Sequence, residues 1–151
     1  MQARTWFLAC KLHLSSQYIF LEMWTPANRH LAFVLAIILG SFLLLDAAYI
    51  SAISTLFGTM IERIQGSPMS VNLWGAAVCY LAITFGLYYF IIREKRSPFD
   101  AGLLGLVIYT VYETTSLATL KKWDKNIVLI DSAWGFVLFY LTTMVVYYFD
   151  K

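Results

Sequence analysis

Three carboxylic acids stand where a carboxylic acid is costly. Asp46, Glu113 and Asp131 each interrupt a long apolar run: "LAFVLAIILGSFLLLDAAYISAI" (31–53), "GLLGLVIYTVYETTSLATL" (102–120) and "IVLIDSAWGFVLFYLTTMVVYYF" (127–149). An ionised side chain at the centre of a membrane helix costs about 2.5–3.5 kcal/mol on insertion scales. Each acid also has polar company at helical spacing. Tyr109, Tyr112, Glu113 and Ser116 fall at i, i+3, i+4 and i+7, and Thr119 continues the stripe. Asp46 shares a face with Tyr49, and Asp131 with Trp134 and Gly135. Carboxyls gathered in a low dielectric can bind a cation, relay protons or act as acid and base. Asp46, Tyr49, Tyr109, Tyr112, Glu113, Ser116, Asp131 and Trp134 are therefore the candidate ligand or proton-site residues. A structural role competes: acids that are protonated, or hydrogen-bonded to tyrosines and hydroxyls, fix helix register. Lys121 or Lys122 would then snorkel toward Asp131, one turn inside its helix.

The marks of familiar intramembrane chemistry are missing from the sequence. It has no H-E-x-x-H, no G-x-S-x-G, no D-D-x-x-D-like acid pair for magnesium diphosphate, and no histidine inside an apolar run. His13 and His30 stand alone outside those runs. Cys10 and Cys79 are too few for a disulfide framework and lack metal-ligand spacing. Cys79, inside an apolar run, reads as a small hydrophobe. No catalytic residue, metal site or cofactor is expected, and an enzyme is the less favoured reading.

The elements that must position the acids follow from composition. The 151 residues are 60% hydrophobic and 13% charged, with mean hydropathy +0.69. A soluble domain carries about 25% charged residues, so this chain could not cover its surface in water. The net charge of +2, with no basic patch interleaved with aromatics, argues against nucleic acid. A membrane helix needs about 20 apolar residues, and four runs supply them. These are the three above and "VNLWGAAVCYLAITFGLYYFII" (71–92). Strands of a membrane barrel would alternate over about ten residues, and these runs do not. The fold class is all-α: a polytopic membrane protein with a four-transmembrane-helix bundle, over residues 23–151.

The connections fit four spans. "FGTMIERIQGSPMS" carries Gly58, Gly66 and Pro68, all breakers. "REKRSPFDAG" is a charged turn, and "KKWDKN" a tight polar loop whose Trp123 suits the membrane interface. Tyr88, Tyr89, Tyr147 and Tyr148 lie near span ends, as an aromatic belt would. Residues 1–22 are basic and moderately apolar, an interfacial or accessory leader; Met23, just before "WTPANRH", offers a cleaner start. An even number of spans puts both termini on one side, with Arg29, Arg93, Lys95, Arg96 and Lys151. Arg63, Lys121, Lys122 and Lys125 fall on the other. The slight excess of positive charge places the termini in the cytoplasm.

At 1.5 Å per residue, Asp46, Glu113 and Asp131 lie about 6, 3 and 10 Å from their span centres. All three shifts point away from the termini. With the polar stripes turned inward, the acids meet in one half of the bundle, under the "KKWDKN" loop. Ala101 and Gly105 form a small-xxx-small pair that lets two helices approach closely.

These residues resemble an uncharacterised family of small predicted membrane proteins, domain of unknown function 2177. Its pattern is an acid and then an aromatic three residues later in the first span. A third-span Y-x-x-Y-D-x-T-N-x-A-T-L-K follows, then W and a fourth-span D-x-x-W-G. Here the elements read "LDAAYIS", "YTVYETTSLATLKKW" and "DSAWG". The resemblance covers about residues 31–149 and implies a four-span architecture. Glu113 stands where the family has aspartate, and Ser116 where it has asparagine. Glutamate reaches one bond further, which suits a loose hydrogen-bond network better than a tightly shaped site. The resemblance implies no activity.

The expected role is an integral membrane protein whose acid–tyrosine cluster serves proton, cation or small-molecule transport. Four spans alone would then dimerise to form a path. The alternative is a structural subunit of a larger assembly, such as a respiratory complex or a virion's inner membrane. An intramembrane lipid-modifying enzyme ranks third. The expected partners are membrane lipid and a homo-oligomer or larger membrane complex, with no nucleic acid.

Overall fold

The four apolar runs form four helices in a computed structural model, which describes residues 25–150. The expected leader, its boundary at residue 22, Cys10 and His13 lie outside the described residues. Helix α1 spans Pro26–Gln65 and α2 Leu73–Leu87, with a π-helical continuation over Tyr88–Ile92. Helix α3 spans Pro98–Thr119 and α4 Lys125–Phe149. The described residues contain no strand. All four helices are long and apolar enough to cross a membrane, so the protein is an all-α, multi-pass integral membrane protein. The chain divides between Val34 and Leu35 into two compact units; the packing below is that of the second.

Side-chain caps set the helix starts. Asn72 accepts the N–H groups of Trp74 (3.0 Å) and Gly75 (3.1 Å) through Oδ1 at the start of α2. Asp124 accepts from Asn126 N–H (2.8 Å) at the start of α4. Ser97 and Asp100 form a reciprocal capping box with Pro98 in the first turn. Ser97-Pro98 therefore opens α3, and the helix begins four residues before the expected span.

Helix α1 corrects the expected first boundary. Gly58 is helical, and α1 ends only at Gln65, before Gly66 at φ +74°. A left-handed residue after a helix is a regular stop, and glycine adopts it without steric cost. The extension is stabilised by packing. Phe57, Met60, Ile61 and Ile64 recur at i, i+3, i+4 and i+7 and pack with Trp123, Ile127 and Val128. That apolar stripe outweighs the roughly 1 kcal/mol cost of a helical glycine.

Helices α3 and α4 make the closest pairing. A Cβ on Gly105 would lie 2.1 Å from the Gly135 carbonyl oxygen, and one on Gly135 would lie 2.5 Å from the Tyr109 ring. The small-xxx-small pair is thus completed by a glycine on α4. Phe42 brings α1 onto the same helix, its ring 5.0 Å from that of Phe139. At the far end, the Tyr147 hydroxyl donates to the Arg96 carbonyl (2.6 Å), and the Arg93 guanidinium lies 4.7 Å from the Tyr89 ring centroid.

Candidate functional site

The helix pairing sets the site. Close approach of α3 and α4 at Gly105 and Gly135 carries Glu113 and Asp131 to adjoining positions, each nearly two turns inside the 120–124 connection. Glu113 is fully buried and Asp131 8% exposed; Asp46 on α1 is half-buried.

Every acid accepts a hydrogen bond from an aromatic donor on another segment. The Tyr49 hydroxyl on α1 donates to Asp131 Oδ1 on α4. Trp134 Nε1 on α4 donates to Asp46 Oδ1 (2.9 Å), and the Tyr80 hydroxyl on α2 donates to Asp46 Oδ2 (2.7 Å). Trp123 Nε1, in the loop, donates to Glu113 Oε2 (2.7 Å). Tyr49 and Trp134 stack on one another, centroids 4.3 Å apart and planes 7° from parallel. The α1 and α4 pairs are therefore crossed: each helix gives an acid to the other's aromatic, and the two aromatics lie face to face. These bonds come from neutral donors and leave the carboxyl charge uncompensated.

One oxygen remains. Glu113 Oε1 is buried and receives no hydrogen bond from an ordinary donor. The Glu113 and Asp131 side chains lie within hydrogen-bonding reach of one another. An ionised carboxylate is an acceptor only, so two facing carboxyls bond to each other only through a proton. A buried, unpaired second negative charge would cost several kcal/mol.

The candidate residues divide into three groups. Asp46, Tyr49, Glu113, Asp131 and Trp134 meet in one network. Tyr109 is packed against Gly135 and helps line two cavities that both reach Asp46. Tyr112 does not join the carboxyl pair. Its side chain is 57% exposed, its ring meets Trp123 edge-on at 6.3 Å, and its hydroxyl lies within reach of Ser116. Lys122 does not turn toward Asp131; its Nζ donates to the Arg63 carbonyl at 3.0 Å. This satisfies one of the open carbonyls at the α1 C-terminus, where a positive charge is favourable.

Two residues of the network were absent from the candidate set. Trp123, expected at the interface, is instead 7% exposed and folds inward, with Phe57 edge-on at 6.2 Å. Its position in a polar loop concealed it; the signal was an indole N–H that, once buried, needs an acceptor. Tyr80 lies on the one span without an acid, so no stripe drew attention to it.

Beside the network lie two cavities. One of about 250 Å³ is lined by Asp46, Tyr49, Phe57, Met69, Tyr109 and Asp131, among others. Another, of about 390 Å³ between α2 and α3, is lined by Asp46, Tyr80, Tyr109, Tyr112 and apolar side chains. Among the described residues, no three His, Cys, Asp or Glu side chains converge closely enough to hold a metal ion.

The family model described as "Predicted membrane protein (DUF2177)" matches residues 30–148. A search of curated proteins found no match, and neither did a search of solved structures.

Proposed function

The chain belongs to the DUF2177 family of predicted membrane proteins, and on that premise we propose that its Glu113–Asp131 pair is an intramembrane proton-binding site serving proton-linked transport. The observation that carries this reading is Glu113 Oε1, buried without a hydrogen-bond donor on a side chain that lies within reach of the Asp131 carboxyl. A proton satisfies both groups at once. Trp123 and Tyr49 each occupy one oxygen of the two carboxyls and leave the other oxygens to share it. The cavity at Asp131 and Asp46 supplies a route for exchange. A metal-ion version fits less well, because metal ions need several acceptor oxygens as direct ligands and here indole and phenol donors already occupy them. On this reading both termini lie in the cytoplasm, on the side with the excess of Lys and Arg.

Infrared difference spectroscopy of the purified protein tests the pair. A protonated-carboxyl band is expected at neutral pH, lost in Glu113→Gln and either displaced or lost in Asp131→Asn. Absence of the band, or a band that Asp131→Asn leaves unmoved, overturns the shared site.

A second reading rests on the crossed bonds between α1 and α4. They lock helix register, as a structural subunit of a membrane assembly requires. On that reading Glu113→Gln lowers stability without altering proton movement across reconstituted vesicles.

A further inference from the structure

The cavity between α2 and α3 is distinct from the carboxyl pair and has its own chemistry. Its volume of about 390 Å³ falls within the range of small-molecule sites. Its walls are Ala76, Cys79, Ile83 and Ile108, with the tyrosines Tyr80, Tyr109 and Tyr112 and the carboxyl of Asp46. Asp46 accepts one bond on each oxygen, from Trp134 and Tyr80, and so is held as an acceptor. Neither donor is a cation. The cavity therefore presents a negative group and aromatic surfaces within apolar walls.

We infer that this cavity binds a lipophilic organic cation. Its charge would lie against Asp46, its substituents against the tyrosine faces, and its apolar body against Ala76, Ile83 and Ile108. Each part of the lining calls for one part of that ligand. A carboxylate in a low dielectric attracts a positive charge far more strongly than in water. Aromatic faces attract quaternary ammonium groups through the ring quadrupole. Apolar walls favour hydrocarbon over a hydrated metal ion, which would need oxygens in place of Ile83 and Ile108. A neutral lipid would leave the carboxylate unmatched, and an anion would be repelled by Asp46 and by Asp131, whose charge acts on the same region. As the substrate of a transport cycle, this cation rests on the proton-site reading above; as a ligand, it is tested apart from it.

The test is a calorimetric titration of the full-length protein in detergent with benzyltrimethylammonium, using neopentylbenzene, its neutral isostere, as competitor. Asp46→Asn removes the charge. Ala76→Phe fills the cavity without touching the carboxylate, so a folding defect in the first variant does not decide the result. Saturable binding to the wild type is expected, weakened about tenfold or more by each variant, with no competition from the isostere. The cation should also slow maleimide labelling of Cys79, which lines the cavity, in a Cys10→Ser background. Any of four results overturns the inference: no saturable binding, either variant binding as the wild type does, equal competition by the isostere, or unprotected Cys79. The carboxyl band reads the proton pair and the titration reads the cavity, so either proposal can fail alone.

Discussion

Trp123 donates its indole N–H to Glu113, ten residues earlier in the chain, across the turn that joins α3 to α4 (2.7 Å). The bond links a loop residue to the most deeply buried acid. It also draws the loop down onto the α1 extension, where Phe57 and Met60 meet the same ring.

Replacing Trp123 by Phe keeps an aromatic ring against Phe57 and removes the donor. Glu113 Oε2 would then lose its donor in a buried site. Stranding a buried acceptor costs about 1–3 kcal/mol, and the smaller ring adds a cavity term. Trp123→Phe should lower the midpoint of detergent unfolding by several degrees. Removing the acceptor as well, in Trp123→Phe with Glu113→Gln, should give less than the sum of the two single losses. Additive losses would mean that the bond contributes little.

Glycine substitutions separate close packing from helix propensity. A methyl group on Gly105 would meet the Gly135 carbonyl oxygen at 2.1 Å, so α3 and α4 must move apart. Gly105→Ala should cost about 2–4 kcal/mol and pull Glu113 away from Asp131. Nothing lies within 4 Å of a Cβ at Gly58, so Gly58→Ala should be neutral or stabilise by up to about 1 kcal/mol through helix propensity. Unfolding midpoints of the two variants check both signs. A large loss at Gly58 would count against the continuous α1.

The sequence made the acids and most of their partners legible for a physical reason. In a run of leucines and isoleucines, a carboxylate stands out, and 3.6-residue spacing identifies what shares its face. Asp46 with Tyr49, and Asp131 with Trp134, were found that way. The crossing of their bonds was not, because spacing says which side chains share a helix face and nothing about which helix that face meets. Tyr112 shows the same limit. It sits one residue before Glu113, about 100° around the helix, so the stripe was too broad to turn inward as a whole. The extension of α1 past Gly58 was hidden because a glycine weighs as a breaker locally, while the packing that overrides it comes from Trp123, some 65 positions away.

Trp134 performs two roles that one substitution can separate. Its ring stacks on Tyr49, and its N–H bonds Asp46. Trp134→Phe keeps part of the stacking and loses the bond. Asp46 would retain only the Tyr80 hydroxyl, so Tyr80→Phe should cost more in the Trp134→Phe background than in the wild type. Unfolding midpoints of the four proteins give the comparison. Equal costs in both backgrounds would show that the two donors do not share Asp46.

The bond between Tyr49 and Asp131 ties α1 to α4 beside the carboxyl pair, and a double-mutant cycle measures it. Tyr49→Phe removes the donor, leaving Asp131 with Glu113 as its remaining polar partner. Asp131→Asn keeps an acceptor oxygen but introduces an amide that can itself donate to Glu113, replacing the proton the pair would share. Because Asp131→Asn still accepts from Tyr49, the coupling reads the difference between a bond to a charged and to a neutral acceptor, about 1 kcal/mol if the tyrosine stabilises a charged Asp131. The infrared carboxyl band of Tyr49→Phe should then shift, since Asp131 loses a hydrogen-bond donor beside the pair. A coupling below about 0.5 kcal/mol with an unmoved band would mean that Tyr49 contributes packing against Trp134 and nothing to the proton.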